Sequence, residues 1–336
     1  MAIEQKKTIV NLYNSGITPD IIALEMDISQ DEVMRIIKNE VNEEERRRIN
    51  AQKISDAPLL SKLYLDAIVN IDSAIKHAQS TMWKALKVKS EFNISMEETQ
   101  KILEGYSESK VTLVILHIDI VESTRLSMIL PVDRLAAIIR AFAQEMSLLI
   151  AAYGGYVLKY IGDAILAFFV VNSSSSSPSS SLPSDDNDLY LPCMNAVSCA
   201  CSMVKVIREG INPILAQYDY PELKVRIGID VGENAVVQYG EDNHILDGKV
   251  ILKKPHLDIL GYTISIAAKM TAVAKSDQIV IGQLAYDVLE DKQRRTFKQL
   301  SMSPEIWDYV SSNTGKIYNL YGSVNAVDTY NNINNN

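Results

Sequence analysis

Cysteine is scarce in this 336-residue chain: there are three, Cys193, Cys199 and Cys201, all in one apolar stretch. An odd number with no zinc-ligand spacing supports neither a disulfide framework nor a structural zinc. It implies reduced thiols in a reducing compartment, the cytoplasm. No uninterrupted apolar run reaches about 18 residues, so no membrane span is expected. The first residues, Met1-Ala2-Ile3-Glu4-Gln5-Lys6-Lys7, lack a basic head followed by an apolar run, so no signal peptide is expected either. Positive charge is in deficit, 33 Lys and Arg against 42 Asp and Glu, for a net charge of −9. A surface built mainly to grip nucleic acid or anionic lipid is therefore disfavoured. There is no Gly-rich loop ending in Lys-Ser/Thr. Four histidines give no Ser-His-Asp or Cys-His set. No internal repeat is evident.

What is present is an ordinary globular composition, 47% hydrophobic and 22% charged, long enough for a catalytic core and a smaller module. Residues 1–40 read as three short helices. Thr18-Pro19 resembles a cap with proline at the first helical position, and Ser29 with Glu32 has capping-box spacing. The pattern resembles a helix-turn-helix. Yet residues 1–50 hold seven Lys or Arg against ten Asp or Glu, so docking to a protein regulator or dimerisation is favoured over DNA.

Residues 41–107 read as a helical linker or regulatory region. It opens with the charge run Glu43–Arg48 and carries an apolar seam, Ile68, Ile71, Ile75, Ala78 and Met82, able to pack within the chain or against another. A further helix is expected over 92–107, with Ser95 as a possible cap.

From Val111 the pattern becomes βαββαβ with additions, an α+β, ferredoxin-like arrangement with helices on one face of a mostly antiparallel sheet. Strands are expected at Val111–Leu116, Tyr156–Ile161, Ala164–Val171 and Leu223–Val231, and helices at Val132–Tyr153, Cys193–Tyr218 and Thr263–Ala274. The stretch from Val231 to Asp258 reads as less regular. Shorter strands are expected near Ile279, Thr296 and Lys316–Leu320. Residues 172–188, with nine serines, two prolines and three aspartates, read as a mobile insert in a domain spanning 111–322, and 323–336 as a disordered tail.

Three segments carry chemistry. Asp119, at the end of an apolar strand, is followed by the loop Ile120-Val121-Glu122-Ser123-Thr124. Lys159-Tyr160-Ile161-Gly162-Asp163 puts a carboxylate at a hairpin tip that glycine permits. If the long helix returns the chain so that both strands share a sheet, Asp119 and Asp163 converge, and two converging carboxylates call for a cation such as magnesium shared with a triphosphate. The third segment is Asp258, before a helix on which Ser265 and Lys269 lie four apart. His117, inside an apolar strand, reads as a packed core residue.

Together with Arg226-Ile227-Gly228-Ile229-Asp230-Val231-Gly232, these segments resemble the catalytic domain of class III adenylyl and guanylyl cyclases over about Val111–Gly322. The resemblance implies a fold, a homodimer with two equivalent head-to-tail sites, and two Mg²⁺ or Mn²⁺ ions per site. Asp119 and Asp163 match the metal-binding aspartates, with the Ile120 backbone carbonyl helping. Val121, Glu122, Ser123 and Thr124 match the phosphate loop. Lys159 and Asp258 match the pair that reads the purine. A lysine donor and an aspartate acceptor suit adenine, so the resemblance implies ATP as substrate, cyclic AMP and pyrophosphate as products, and a role in intracellular signalling.

Ser265 and Lys269 stand where the family usually has asparagine and arginine, which orient the ribose and stabilise the transition state. Glu122 stands where glycine is common, and Glu233 where some relatives carry arginine. These departures leave a second reading, a catalytically weak nucleotide-sensing regulator signalling through its helix-turn-helix. A cyclic-dinucleotide synthase is disfavoured, because its usual Gly-Gly-acidic signature is absent from the hairpin.

Overall fold

The computed structural model describes residues 9, 19–26, 28–36, 69–87, 96–107, 109–171, 186–239, 243–246, 249–252, 256–310 and 315–324. The charge run at 43–48, Ile68, Ser95, the serine-rich stretch up to 185 and the tail beyond 324 lie outside them. The chain divides into two compact units, Met1–Lys62 and Leu63–Asn336.

In the first unit, α1 (Pro19–Met26) opens with proline at its first position, where a missing N–H costs nothing. A second helix, α2 (30–36), follows Ser29, whose Oγ accepts a hydrogen bond from the Glu32 amide at 3.3 Å. Ile9, Ile22, Val33 and Ile36 form a small core of their own. The first expected helix lies outside the described residues except for Ile9.

The second unit begins with α3 (Ile71–Lys87) and α4 (Glu97–Glu104). The expected seam on α3 buries Ile75, Ala78 and Met82 in the unit's own main core. Then come β1 (Lys110–Ile120), α5 (Ser123–Ile129), α6 (Val132–Ala152), β2 (Tyr156–Ile161) and β3 (Ala164–Val170). The next helix, α7 (Asp186–Val206), runs through a π-helical turn (Ile207–Ile211) into α8 (Asn212–Ala216). It starts earlier than expected, because Asp186, Asn187 and Asp188 of the serine-rich stretch are helical. The remaining strands are β4 (Val225–Tyr239), β5 (Asn243–Leu246), β6 (Lys249–Leu252) and β7 (His256–Leu260). They are followed by α9 (Tyr262–Val273), β8 (Gln278–Gly282), α10 (Gln283–Val288), α11 (Asp291–Arg294), β9 (Phe297–Gln299) and β10 (Leu320–Ser323).

The sheet runs β2-β3-β1-β4-β8-β10-β9, with β7 on the far half of β4. Its first four strands are mutually antiparallel, in the order a ferredoxin-like βαββαβ unit dictates. The less regular region expected before Asp258 is instead mostly strand. β4 continues to Tyr239 and pairs with β7 through Val237 opposite Asp258. Charged and polar residues in that stretch masked the strand alternation.

Alternate residues divide the sheet. Val114, Leu116 and Ile118 of β1, with Val225, Ile227 and Ile229 of β4, enter the main core with α3, α6 and α7. Leu113 and Ile115 face a second core with Leu103 of α4 and Ala267 of α9, so the other face is partly covered as well. Gly228 is required there, because a Cβ would sit 2.2 Å from the Ala267 carbonyl oxygen. Two helical stretches, Val132–Ala152 and Asp188–Ala216, are long and apolar enough to cross a membrane. The second is 83% buried within the unit, as a core helix is, and α6 buries Phe142, Met146 and Ile150 in the same core.

Asp230 is a fully buried carboxyl on β4. Its Oδ1 accepts a 2.5 Å hydrogen bond from the Tyr318 hydroxyl, and its Oδ2 has no partner. Burial pushes its pKa up to about 7, against the Tyr318 and Val231 hydrogen bonds that lower it. Tyr262 and Cys193 are the other titratable groups it influences, and both are neutral near pH 7. A raised acid pKa stabilises the fold at low pH and costs stability as pH rises from the ordinary aspartate range through about 7. Asp230→Asn keeps the acceptor for Tyr318 and removes the proton. In denaturant unfolding at pH 5 and pH 8, the stability of the variant relative to wild type is expected to increase at the higher pH, by a few kcal/mol at most.

Candidate active site

Strand register puts Asp119 and the hairpin carrying Asp163 at the same end of the β1–β3 pair, whereas Asp258 lies on β7 against the far half of β4. Asp119 lies on β1 directly opposite Arg226 of β4, and the Arg226 guanidinium donates to Asp119 Oδ2 at 2.6 Å. Asp163 occupies the β2–β3 hairpin, where Gly162 takes φ +64° and lets the turn close tightly. Strand register places the hairpin beside the end of β1, since Ile118 pairs with Ile165. His117 is buried beneath α9, 3.3 Å from the Thr271 hydroxyl. Desolvation lowers its pKa, although Asp119 and Asp163 both act on it in the opposite direction. It is a neutral core histidine.

Asp163 Oδ2 is buried with no hydrogen-bond partner, and the Arg226 Nε is likewise unsatisfied. A buried carboxylate oxygen without a donor is costly. Such an oxygen fits the role of a cation ligand, and Arg226 serves as resident counter-ion for Asp119. Two hard oxygen donors, completed by phosphate oxygens, fit magnesium or manganese. Among the described residues no cluster of three or more His, Cys, Asp or Glu side chains exists to hold a metal without such help.

The loop after β1 explains one departure from the family pattern. Glu122 has φ 54° and ψ 34°, the left-handed region that glycine enters without strain. Its carboxylate lies 3.3 Å from Arg125 of α5, an exposed pair of little energetic weight. Val121 donates its amide to the Lys224 carbonyl at 2.8 Å, which ties the loop to the start of β4. Ser123 and Thr124 begin α5.

Lys159 and Asp258, 99 residues apart, form an ion pair at 2.6 Å. Lys159 follows a β-bulge in β2, between Val157 and Lys159. A bulge re-aims a side chain, and sequence patterning did not reveal this one. Asp258 also accepts the Ile259 amide at 2.8 Å through Oδ1. Two consecutive residues of α4 hold both strands. Thr99 donates its hydroxyl to the Val157 carbonyl at 2.8 Å. The Gln100 side-chain amide donates to the Leu257 carbonyl at 3.0 Å and accepts from the Leu257 N–H at 2.9 Å.

Ser265 and Lys269 lie exposed along α9. The Lys269 ammonium sits 5.3 Å from the centre of the Tyr309 ring. Among the described residues, no hydrogen bond or ion pair joins Ser265 or Lys269 to Asp119 or Asp163. One chain therefore presents two aspartates near the end of β1, a Lys159–Asp258 ion pair and a lysine-bearing helix, with no hydrogen bond or ion pair among the described residues joining the three. Arg226, Thr99, Gln100 and Tyr309 were not assigned roles from the sequence. For Arg226 the available signal was a charge among the apolar residues that open β4.

The family model described as "Adenylate and Guanylate cyclase catalytic domain" matches residues 105–304, more than half the chain. The chain belongs to this class III nucleotide cyclase family. Two relatives from Escherichia coli, both described as cytidylate cyclases, are 24% and 25% identical over 63% and 50% of this chain. The matched parts span only 42% and 34% of those proteins. Among solved structures, the adenylyl cyclase CyaB from P. aeruginosa is 20% identical, with a TM-score of 0.48 over 65% of this chain and 95% of that one.

If the orphaned Asp163 oxygen is a cation ligand, thermal melting with Mn²⁺ and ATP should show it. At about 100 times the dissociation constant, binding stabilises by about 2.7 kcal/mol. Asp163→Asn is expected to abolish most of that shift while leaving the ligand-free melting temperature near wild type.

Proposed function

We propose that this chain is a homodimeric adenylate cyclase of the cytoplasm, converting ATP to 3′,5′-cyclic AMP and pyrophosphate. The observation that carries the reading is the Lys159–Asp258 pair, a donor and an acceptor from two strands set side by side. Adenine offers a ring-nitrogen acceptor next to an exocyclic amine donor, which matches that order. The buried, unpaired cysteines Cys193, Cys199 and Cys201 support a reducing compartment. The acidic N-terminal segment favours a protein regulator over DNA as its partner.

Asp119 and Asp163, with the Ile120 carbonyl, would hold two Mg²⁺ or Mn²⁺ ions per site. Bound there, the metals supply the charge that acidifies the ribose 3′-hydroxyl and neutralises the phosphates. Arg226 keeps Asp119 oriented and partly neutralised until the nucleotide arrives. In the loop at Val121–Thr124 the Val121 amide is taken by Lys224, so the backbone N–H groups after it would meet the phosphate oxygens. Lys159 and Asp258 of the second copy fix the base, so that the ribose 3′-oxygen faces the α-phosphorus. Lys269 of the second copy offsets charge growing on the α-phosphate oxygens, and Ser265 orients the ribose. The 3′-oxygen forms its bond to the α-phosphorus as pyrophosphate leaves in line, and the hydroxyl proton passes to solvent.

A second reading has one observation in its favour, the relatives described as cytidylate cyclases. Cytosine also presents an amine beside a ring acceptor, so the same pair would accept CTP in a tighter pocket.

The test is turnover of ATP, CTP and GTP by the full chain with Mg²⁺ or Mn²⁺, with Asp119→Ala as the blank. Cyclic AMP as the main product, lost in the blank, is the expected result. Cyclic CMP as the main product would replace the substrate assignment. Nucleotide binding without any product would assign the chain as a nucleotide sensor. Glu122→Gly, which relieves a left-handed φ and a negative charge, and Lys269→Arg, which gains a planar fork, are each expected to raise the rate.

A further inference from the structure

Lys269 carries a point charge on a flexible four-carbon stem, and such a side chain has no orientation of its own. In this fold it is held. The ammonium lies 5.3 Å from the centre of the Tyr309 ring, within cation–π range. The interaction with Tyr309 is the main cause raising the lysine pKa, and the Asp308 carboxylate adds a smaller push.

The ring that holds it is itself fixed. Trp307, 2% exposed, meets Tyr309 edge-on, with centroids 4.8 Å apart and planes at 70°. The Trp307 indole donates to the Tyr318 carbonyl at 2.8 Å, and the Tyr318 amide donates to the Tyr309 carbonyl at 2.8 Å. The Tyr318 hydroxyl ends the chain of contacts on buried Asp230 of β4. Trp307 also packs in a core cluster with Ile266 and Met270 of α9, on either side of Lys269 in sequence. Lys269 and Tyr309, forty residues apart, are thus braced against the same helix and the same central strand.

We propose that Tyr309 is the positioning residue for Lys269, its ring holding the ammonium so that it meets the α-phosphate in a fixed place. The inference rests on the reading of Lys269 as the cation of the transition state. Tyr309 touches no reacting atom and acts through the lysine.

The test uses the full chain, its turnover of nucleotide and the titration of the Lys269 ammonium by NMR, assigned by loss of its signal in Lys269→Ala. Tyr309→Leu, which keeps bulk against Trp307, is expected to lower kcat by about 10-fold or more, with KM within about 2-fold. Tyr309→Phe keeps the ring face and is expected to lose less than about 3-fold. In a Lys269→Ala background, Tyr309→Leu should cost nothing further. The lysine pKa should fall towards its ordinary value in Tyr309→Leu and only part-way in Tyr309→Phe. Melting temperatures identify any variant that merely unfolds, and the phenylalanine variant keeps the test open in that case. Wild-type or raised kcat in Tyr309→Leu would overturn the inference, the raised value marking the contact as a parking place. Wild-type kcat in Lys269→Ala would overturn the role of the lysine itself, and an inactive wild type would overturn the proposed reaction. Each of those two results removes this inference as well, and each is distinguishable from failure at Tyr309 alone.

Discussion

The pairing of β1 with β4 is the constraint on which the rest depends. It runs unbroken over eleven residue pairs, from Lys110 opposite Ala235 to Ile120 opposite Val225. A slip of one residue would turn every side chain of β1 to the opposite face. Asp119 would then leave Arg226, and Val114, Leu116 and Ile118 would leave the main core. The cost of exposing those apolar groups fixes the register, and the register fixes the acidic centre. β3 adds to the other edge of β1 and brings the Gly162 turn with Asp163, while β7 adds to the far half of β4 and brings Asp258. The site is assembled by strand order, and its loops contribute little to its placement.

Much of this was legible from residue pattern because it follows from local physics. The βαββ order, the hairpin at Gly162-Asp163 and the helix carrying Ser265 and Lys269 all follow from apolar periodicity and turn chemistry. What escaped notice depends on contacts distant in sequence. The bulge before Lys159 arises from pairing with β3, and nothing within β2 announces it. β7 was hidden by the charged and polar residues around it, and the extension of β4 went unrecognised with it. The clamp by Thr99 and Gln100 joins a short polar helix to two strands 58 and 157 residues away. Arg226 was visible as a charge in an apolar strand, but its partner was set only by register.

Charges in this site are arranged as pairs before any ligand arrives. Arg226 answers Asp119 and Asp258 answers Lys159. Glu233, where some relatives carry arginine, is taken up by Lys110 at 2.8 Å on the outer part of the same strand pair. The exception is Asp163, whose Oδ2 stays unsatisfied inside the protein. The departures from the family pattern also separate by kind. Glu122 alters a backbone position that prefers glycine, while Lys269 alters a side chain that rests against the Tyr309 ring.

If Lys159 and Asp258 read the base as proposed, their mutual satisfaction has a consequence for selectivity. A nucleobase arriving there would meet a reader whose two hands are already clasped. It must part a partly buried ion pair and offer an equally good acceptor and donor in return. A base with the complementary edge recovers both bonds, whereas one with the order reversed leaves two desolvated charges unanswered. The resting protein thus contains an internal competitor for its own ligand, which weakens binding to every nucleotide but weakens it most for the wrong one.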